Sequence, residues 1–159
     1  MKLRWYPILI ALAVVLAAGL FSVHALARAL AGPDTRPAAS KAPMLISITK
    51  GTSDLQAVSM ALGMAGTALK EGHEVTVFLS VQGPQLASKD LGDDVKIADF
   101  PPVRKLLADV IAGGGKVLVC GHCAEVCKME KKSLVEGATA CTREEVLGNL
   151  KPGMVCLSY

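Results

Sequence analysis

The sequence VLVCGHCAEVCKM, residues 117–129, joins an apolar run to three closely spaced cysteines and decides the fold prediction. The run is short and rich in β-branched residues, which is typical of a buried strand that ends at Cys120. Gly121 permits a tight turn, so Cys123 and Cys127 fall four residues apart on a predicted helix. A thiol at such a junction faces the positive end of the helix dipole, which predicts a lowered pKa for Cys120.

Strands and helices alternate along the rest of the domain. Short apolar, β-branched runs predict strands at residues 44–50, 75–80, 116–120 and 154–158. Apolar spacing and capping residues predict helices between Asp54 and Gly72, near residues 84–88, from Pro102 to Gly113, from Cys120 to about Val135, and from Thr142 onward. This order implies βαβ crossovers and an α/β fold with three layers, α/β/α, around a mainly parallel sheet of about four to five strands.

The carboxyl ends of the first three predicted strands carry polar and reactive residues. Lys50, Ser80 and Cys120 each stand at the end of one of these strands. In open parallel sheets covered by helices, ligands bind beyond the carboxyl ends of the strands. The cysteine cluster is therefore predicted to lie at the edge of the sheet where this architecture places its chemistry.

The N-terminal part of the chain has the pattern of an export signal. Residues 1–27 begin with a basic segment, continue as an apolar run and end in Ala25-Leu26-Ala27, which has small residues at the two positions that signal peptidase inspects. The same run, residues 5–27, is nearly long enough to remain as a membrane anchor, and both outcomes stay open. Residues 28–43 are rich in Pro, Ala and polar residues and predict a flexible linker. Residues 44–159 then form the predicted folded domain, which is expected to be periplasmic or otherwise extracytoplasmic.

Charge and cysteine content limit the function classes. The chain has 17 Lys and Arg against 14 Asp and Glu, without a basic patch interleaved with aromatic residues, so no nucleic-acid partner is predicted. No cofactor-binding motif is predicted either, since the Lys50-Gly-Thr-Ser loop lacks the glycine spacing of a phosphate loop. All five cysteines lie in the last third of the chain. Exported proteins usually pair their cysteines, so an odd number favours at least one reactive thiol.

Two segments carry a resemblance to a known family. The first is ISITKGTSDLQAVSMALGMAGTALKEGHEVTVFLSVQGPQLASK, which resembles the opening strand–helix–strand of the DsrE/DsrF-like sulfur-relay family and its glycine-containing loop. The second is VLVCGHCAEVCKM, which is similar to the strand that ends in Cys-Gly-x-Cys in that family. The resemblance covers residues 44–159 and implies a DsrE-like fold.

The resemblance implies roles for three cysteines. Cys120 matches the family cysteine that carries sulfane sulfur as a persulfide, and Cys123 matches a second cysteine found in a subset of members. The basic-Gly pair of the family is replaced here by Cys127-Lys128. The implied function is that of a sulfurtransferase or sulfur carrier in which Cys123 resolves or protects Cys120 and Cys127 is a nearby third thiol. The implied partners are sulfur donor and acceptor proteins or small thiols, in a homo- or hetero-oligomer that contacts the membrane only through the N-terminal segment.

Two alternatives remain open at this stage. Cys120-Gly-His-Cys123 is also the string found in disulfide isomerases, so the pair is suited to thiol–disulfide exchange. Cys120, Cys123 and Cys127, with His122 or Met129, have the ligand types for Cu(I) or Zn(II), although the ligand set is short of a closed site and no metal site is predicted. Two further cysteines lie outside the cluster: Cys141 is either a resolving thiol or a small residue in a turn, and Cys156 is expected in the core.

Overall fold

The computed structural model describes residues 41–129 and 133–159, and Lys41–Tyr159 forms one compact unit. The predicted signal peptide or anchor, residues 1–27, and most of the predicted linker, residues 28–43, lie outside the described residues. Within the described ranges, no helix is long and apolar enough to cross a membrane. The first strand begins at Met44.

The sheet of the described chain is parallel throughout. Its strands are β1 (Met44–Ile48), β2 (Val75–Leu79), β3 (Lys116–Cys120), β4 (Ala138–Cys141) and β5 (Val155–Ser158). They pair in the order β4–β3–β2–β1–β5, so the chain moves stepwise from β1 to β4 and then returns to the opposite edge for β5. The predicted α/β fold with a parallel sheet is confirmed.

Helices connect the strands, as the capping residues predict. They are α1 (Leu55–Lys70), a 3-10 helix (Gly83–Ala87), α2 (Val103–Ala112), α3 (Gly121–Val126) and α4 (Arg143–Gly148). The Asp54 carboxylate accepts a hydrogen bond from the amide of Ala57 at 3.0 Å and so caps the start of α1. Gly72, with a φ of 82°, takes the left-handed conformation that ends α1. The Thr142 capping box is also present at the start of α4.

The main hydrophobic core lies on one face of the sheet. Ile46, Val77 and Val119 point to this face from β1, β2 and β3 and are fully buried. Apolar residues of α1 and α2, among them Leu62 and Leu107, complete the same cluster. Because both helices cover this face, the residues of the three central strands that point to it are shielded from water and apolar.

The opposite face of the sheet is less completely covered. Phe78, Leu118 and Cys120 point to this face, because side chains alternate along a strand. The third layer of the fold includes α4, whose Val146 and Leu147 face Phe78 across a cleft. No residue of α4 is buried. The three predicted layers are therefore present but unequal, and the thinner layer lies beside the cysteines.

Two predictions about the segment after β3 are wrong. The helix predicted to reach Val135 ends at Val126, because Lys128 turns left-handed (φ 57°) and the amide of Met129 bonds to the carbonyl of Ala124 at 2.9 Å. A strand, β4, then follows where none was predicted. Its sequence, ATAC, has a single β-branched residue, so pairing with β3 rather than local propensity makes it a strand.

Candidate functional site

Cys120 occupies the junction between β3 and α3. It is the last residue of β3 and the N-cap of α3, and its sulfur accepts a hydrogen bond from the amide of Cys123 at 3.3 Å. Its side chain is half-buried. The sequence prediction of a cysteine at the carboxyl edge of a parallel sheet, at the start of a helix, is therefore confirmed.

The predicted lowering of the Cys120 pKa is wrong. Burial raises the pKa of this thiol, and its hydrogen bond with the Cys123 side chain raises it further because that bond favours the protonated form. The backbone amides of Cys123 and His122 act in the predicted direction and lower the pKa, but they do not outweigh burial. A helix of six residues has few aligned peptide dipoles, which limits its effect on the thiolate.

A cleft of about 510 Å³ opens beside Cys120. Its floor includes Phe78 from β2, and one wall is formed by Val146 and Leu147 of α4. Clefts of this size with apolar walls and a few polar groups are typical of small-ligand sites. The full lining consists of Phe78, Cys120, His122, Cys123, Cys141, Thr142, Arg143, Val146 and Leu147.

Cys141 also lines this cleft, together with Cys120 and Cys123. It is the last residue of β4 and the register partner of Cys120 across the β3–β4 ladder. Its side chain is only 7% exposed, and its thiol donates to the carbonyl of Val119 at 3.3 Å. Burial, with the nearby charge of Cys120, raises the pKa of Cys141 to about 11. The sequence offered two interpretations of Cys141, a resolving thiol or a small residue in a turn. The second is wrong, because Cys141 ends β4, and the register that places it opposite Cys120 cannot be seen in the sequence.

Cys127 lies apart from this group. It is the C-cap of α3, and its thiol donates to the carbonyl of Val81 at 3.4 Å, toward the end of β2. Val81 itself has a φ of 56°, which is a strained conformation for a β-branched residue. Cys127 is not among the residues that line the cleft. The structure thus brings Cys120 and Cys123 together and turns Cys127 toward the neighbouring strand.

Cys156 is exposed on the edge strand β5, so the expectation that it belongs to the core is wrong. The reason is that β5 packs against one neighbouring strand only.

All five cysteines are free thiols. Among residues 41–129 and 133–159, no group of three or more His, Cys, Asp or Glu side chains is arranged to hold a metal ion.

The sequence is similar to a family model and to several archaeal proteins. The model described as DsrE/DsrF-like matches residues 43–151. Protein MJ0989 of Methanocaldococcus jannaschii is 32% identical over 104 residues, which cover 65% of this chain and 88% of that protein. Protein MJ0760 of the same organism is 36% identical over 89 residues, which cover 56% of this chain but 32% of that protein. Protein MK0008 of Methanopyrus kandleri is 32% identical over 91 residues, or 57% and 72% of the two chains.

Two solved structures have the same arrangement of helices and strands. The YchN protein from E. coli superposes with a TM-score of 0.63 at 14% identity, over 74% of this chain and 99% of that one. MTH1491 from Methanobacterium thermoautotrophicum superposes with a TM-score of 0.59 at 11% identity, again over 74% and 99%. At these identities the likeness shows the fold alone.

Proposed function

The chain belongs to the DsrE/DsrF-like family, and from this premise we propose that Cys120 accepts a sulfane sulfur as a persulfide and passes it to an acceptor thiol. The fold is of the sulfur-relay type. The observation that carries the proposal is the position of Cys120, whose sulfur accepts the Cys123 amide at the mouth of an apolar cleft. The cleft leaves the Cys120 sulfur open to a donor, and the Cys123 amide lies where negative charge forms on that sulfur during the reaction.

The first step is sulfur acceptance. The Cys120 thiol releases its proton to water, and the thiolate attacks the terminal sulfur of a polysulfide or of a donor persulfide. A new S–S bond forms at Cys120 while the S–S bond of the donor breaks, and the donor thiolate leaves with the electron pair. The Cys123 amide, 3.3 Å from the Cys120 sulfur, stabilises the negative charge on that sulfur before the attack.

The second step is sulfur delivery. An acceptor thiolate attacks the outer sulfur of the Cys120 persulfide, the outer sulfur moves to the acceptor, and the Cys120 thiolate leaves. The same amide stabilises this leaving thiolate. The acceptor enters past Leu147, an exposed apolar side chain that lines the cleft. Such an entrance fits a protein partner or a small thiol with an apolar body.

Thiol–disulfide exchange at Cys120 and Cys123 is the second candidate. The observation that favours it is the placement of both thiols in one cleft, where the Cys123 amide contacts the Cys120 sulfur. In this case the pair passes electrons and carries no extra sulfur. Both candidates use Cys120 and Cys123, but only sulfur transfer adds a sulfur atom to the chain. The mass of the protein after loading therefore distinguishes them.

The test is sulfur loading of the purified full-length chain with sodium tetrasulfide, followed by intact and peptide mass spectrometry. We expect one added sulfur on the wild-type chain, removal of that sulfur by cyanide as thiocyanate, and complete loss of loading in Cys120→Ser. Cys156→Ser is the matched control, because Cys156 lies on the far edge strand, and it should load like the wild type. Loading that persists in Cys120→Ser would refute the proposal, and a Cys120–Cys123 bridge without added sulfur would favour thiol–disulfide exchange.

We also propose that this chemistry takes place outside the cytoplasmic membrane. The support is the export pattern of residues 1–27, a basic start followed by an apolar run and small residues. Digestion of intact spheroplasts tests it, since an extracytoplasmic domain is cleaved by added protease while a cytoplasmic marker protein survives. Protection of the domain until the membrane is lysed would contradict the proposal.

A further inference from the structure

Cys120 and Cys141 lie directly opposite each other at the ends of two neighbouring strands. The register of β3 and β4 pairs Val117 with Ala138 at one end of the ladder and Cys120 with Cys141 at the other. Register partners in a parallel ladder direct their side chains to the same face of the sheet. Neighbouring strands are about 4.8 Å apart, and disulfides join Cα atoms that are about 4.4–6.8 Å apart. The register therefore brings Cys120 and Cys141 within the Cα separation that disulfides join.

The surroundings of Cys141 favour one partner. It is buried, so thiols and oxidants in solution reach it poorly, whereas Cys120 lines the same cleft and is close enough for its charge to act on Cys141. The Cys141 thiol is held by the carbonyl of Val119, the residue that precedes Cys120. Cys127, the alternative third thiol, is bonded instead to Val81. Cys141 is thus the third thiol at the Cys120 site.

We propose that Cys141 is the resolving thiol of this site and forms a reversible disulfide with Cys120. This inference rests on the proposed function for its sulfur step. The Cys141 sulfur attacks the inner sulfur of the Cys120 persulfide, the Cys120–Cys141 bond forms, and the S–S bond of the persulfide breaks. The outer sulfur leaves with the electron pair and takes the Cys141 proton, so that the products are one disulfide and one hydrogen sulfide. No further oxidant is needed, because the sulfane sulfur is reduced as the two thiols are oxidised.

As a consequence, a protein that carries the Cys120 persulfide and meets no acceptor can release the outer sulfur as hydrogen sulfide. Cys123 stabilises the sulfur of Cys120 through its amide, while Cys141 ends the loaded state from the neighbouring strand. A dithiol reductant then returns the disulfide to two thiols. Because the reaction is intramolecular, we expect it to be faster than loss of the sulfur to solvent.

Digestion with trypsin shows which cysteine forms the disulfide with Cys120. Cleavage after Lys116 and Lys128 releases residues 117–128, which contain Cys120, Cys123 and Cys127, and cleavage after Lys132 and Arg143 releases residues 133–143, which contain Cys141. A Cys120–Cys141 disulfide links these two peptides, whereas a Cys120–Cys123 disulfide remains within the first. Digestion without reductant, after blocking free thiols with N-ethylmaleimide, distinguishes the two cases.

The experiment follows the full-length chain after loading with sodium tetrasulfide and removal of excess reagent. We expect the linked peptides to accumulate as the persulfide disappears, with one hydrogen sulfide released per link. In Cys141→Ala and Cys141→Ser the persulfide should last about tenfold longer or more, because the intramolecular attack is lost. Cys156→Ser and Cys127→Ser should behave like the wild type. Both Cys141 variants are checked for an unchanged urea midpoint, and the smaller alanine serves if the buried serine hydroxyl destabilises the chain.

The outcomes separate the two proposals. A bridge confined to residues 117–128, or wild-type decay in both Cys141 variants, would overturn the role of Cys141 while leaving sulfur loading at Cys120 intact. A parallel sample oxidised with diamide tests the pairing without any persulfide. If Cys120 never gains sulfur and diamide still links the two peptides, the proposed function fails and the Cys120–Cys141 pairing stands. If diamide links neither peptide to the other, the pairing is overturned.

Discussion

The two sides of Cys120 differ in how tightly they are packed. On the side of β2, which we call the β2 flank (Leu79, Val81, Gly83 and Leu86), three of the four residues are buried. A Cβ atom on Gly83 would overlap the carbonyl oxygen of Ile48. On the side of β4, which we call the β4 flank (Cys141, Thr142, Val146 and Leu147), only Cys141 is buried.

This difference in packing affects how accessible Cys141 and Cys127 are, the thiols on the β4 side and the β2 side of Cys120. Segments with few buried apolar contacts open locally at a lower free energy than the core does. The β4 flank is such a segment, because Leu147 is 66% exposed and α4 contributes nothing buried. Cys141 is therefore covered in the closed state but lies under a layer that opens easily. Cys127, by contrast, is bonded to the carbonyl of Val81, the one exposed residue of the β2 flank.

The largest expected effect is on stability and contrasts the two flanks directly. Leu79→Ala removes a fully buried side chain at the end of β2 and should lower the free energy of unfolding by about 2–5 kcal/mol. Leu147→Ala truncates an exposed side chain on α4 and should change it by less than about 0.5 kcal/mol. Urea unfolding monitored by circular dichroism measures both. An equal decrease in the free energy of unfolding of the two variants would show that α4 packs as tightly as the β2 flank, and would contradict the difference between the flanks.

A smaller effect is expected at the start of α4. Thr142→Ala removes a capping box in which Thr142 and Glu145 bond to each other's amides at 3.3 and 2.7 Å. Loss of this capping box should lower the free energy of local opening of α4 by about 0.5–2 kcal/mol. Hydrogen exchange in α4 should then accelerate, and native-state alkylation of Cys141 should accelerate with it.

A matched control is available on the opposite face. Thr67→Ala also removes an exposed threonine, but Thr67 bonds within α1 to the carbonyl of Gly63 and caps nothing. It should leave the reactivity of Cys141 unchanged. If Thr142→Ala also leaves Cys141 unchanged, α4 does not control access to this thiol.

The smallest expected effect is the pH dependence of Cys120. Its pKa is raised by burial, so at a given pH less of it is thiolate than in an unhindered thiol. Alkylation of Cys120 by iodoacetamide should therefore be severalfold slower than that of N-acetylcysteine near neutral pH, and should keep rising with pH after N-acetylcysteine has reached its plateau. Rates measured by peptide mass spectrometry across pH 7 to about 10, which spans the usual cysteine pKa, decide this. A plateau for Cys120 at lower pH than for N-acetylcysteine would restore the lowered pKa that the helix start predicts.

Local patterns predicted most of the fold. β1, β2 and β3 follow apolar, β-branched runs, and α1 begins and ends where its capping aspartate and its glycine predict. The position of Cys120 at the carboxyl edge followed from the same patterns. These features depend on residues close in sequence, which is why periodicity and capping rules find them.

The wrong predictions concern features that depend on residues distant in sequence. The helix after β3 ended early although Lys128 is not a glycine, and the strand ATAC has little intrinsic preference to be one. Cys156 sits in an apolar run but is exposed, because its strand is at an edge. In each case the outcome depends on which elements lie alongside, and propensity is a weak guide where pairing decides.

The chain alone therefore specifies a thiol at the end of a buried parallel strand and a second thiol on the helix that follows. These two positions follow from residues within one short stretch, Cys120 to Cys123. The identity of the third thiol is decided by tertiary structure, because strand register joins residues 21 positions apart in sequence, Cys120 and Cys141. Cys127, though closer along the chain, is carried toward β2 by the turn that ends α3. Register is a property of paired strands, and it arises only when β4 completes the sheet.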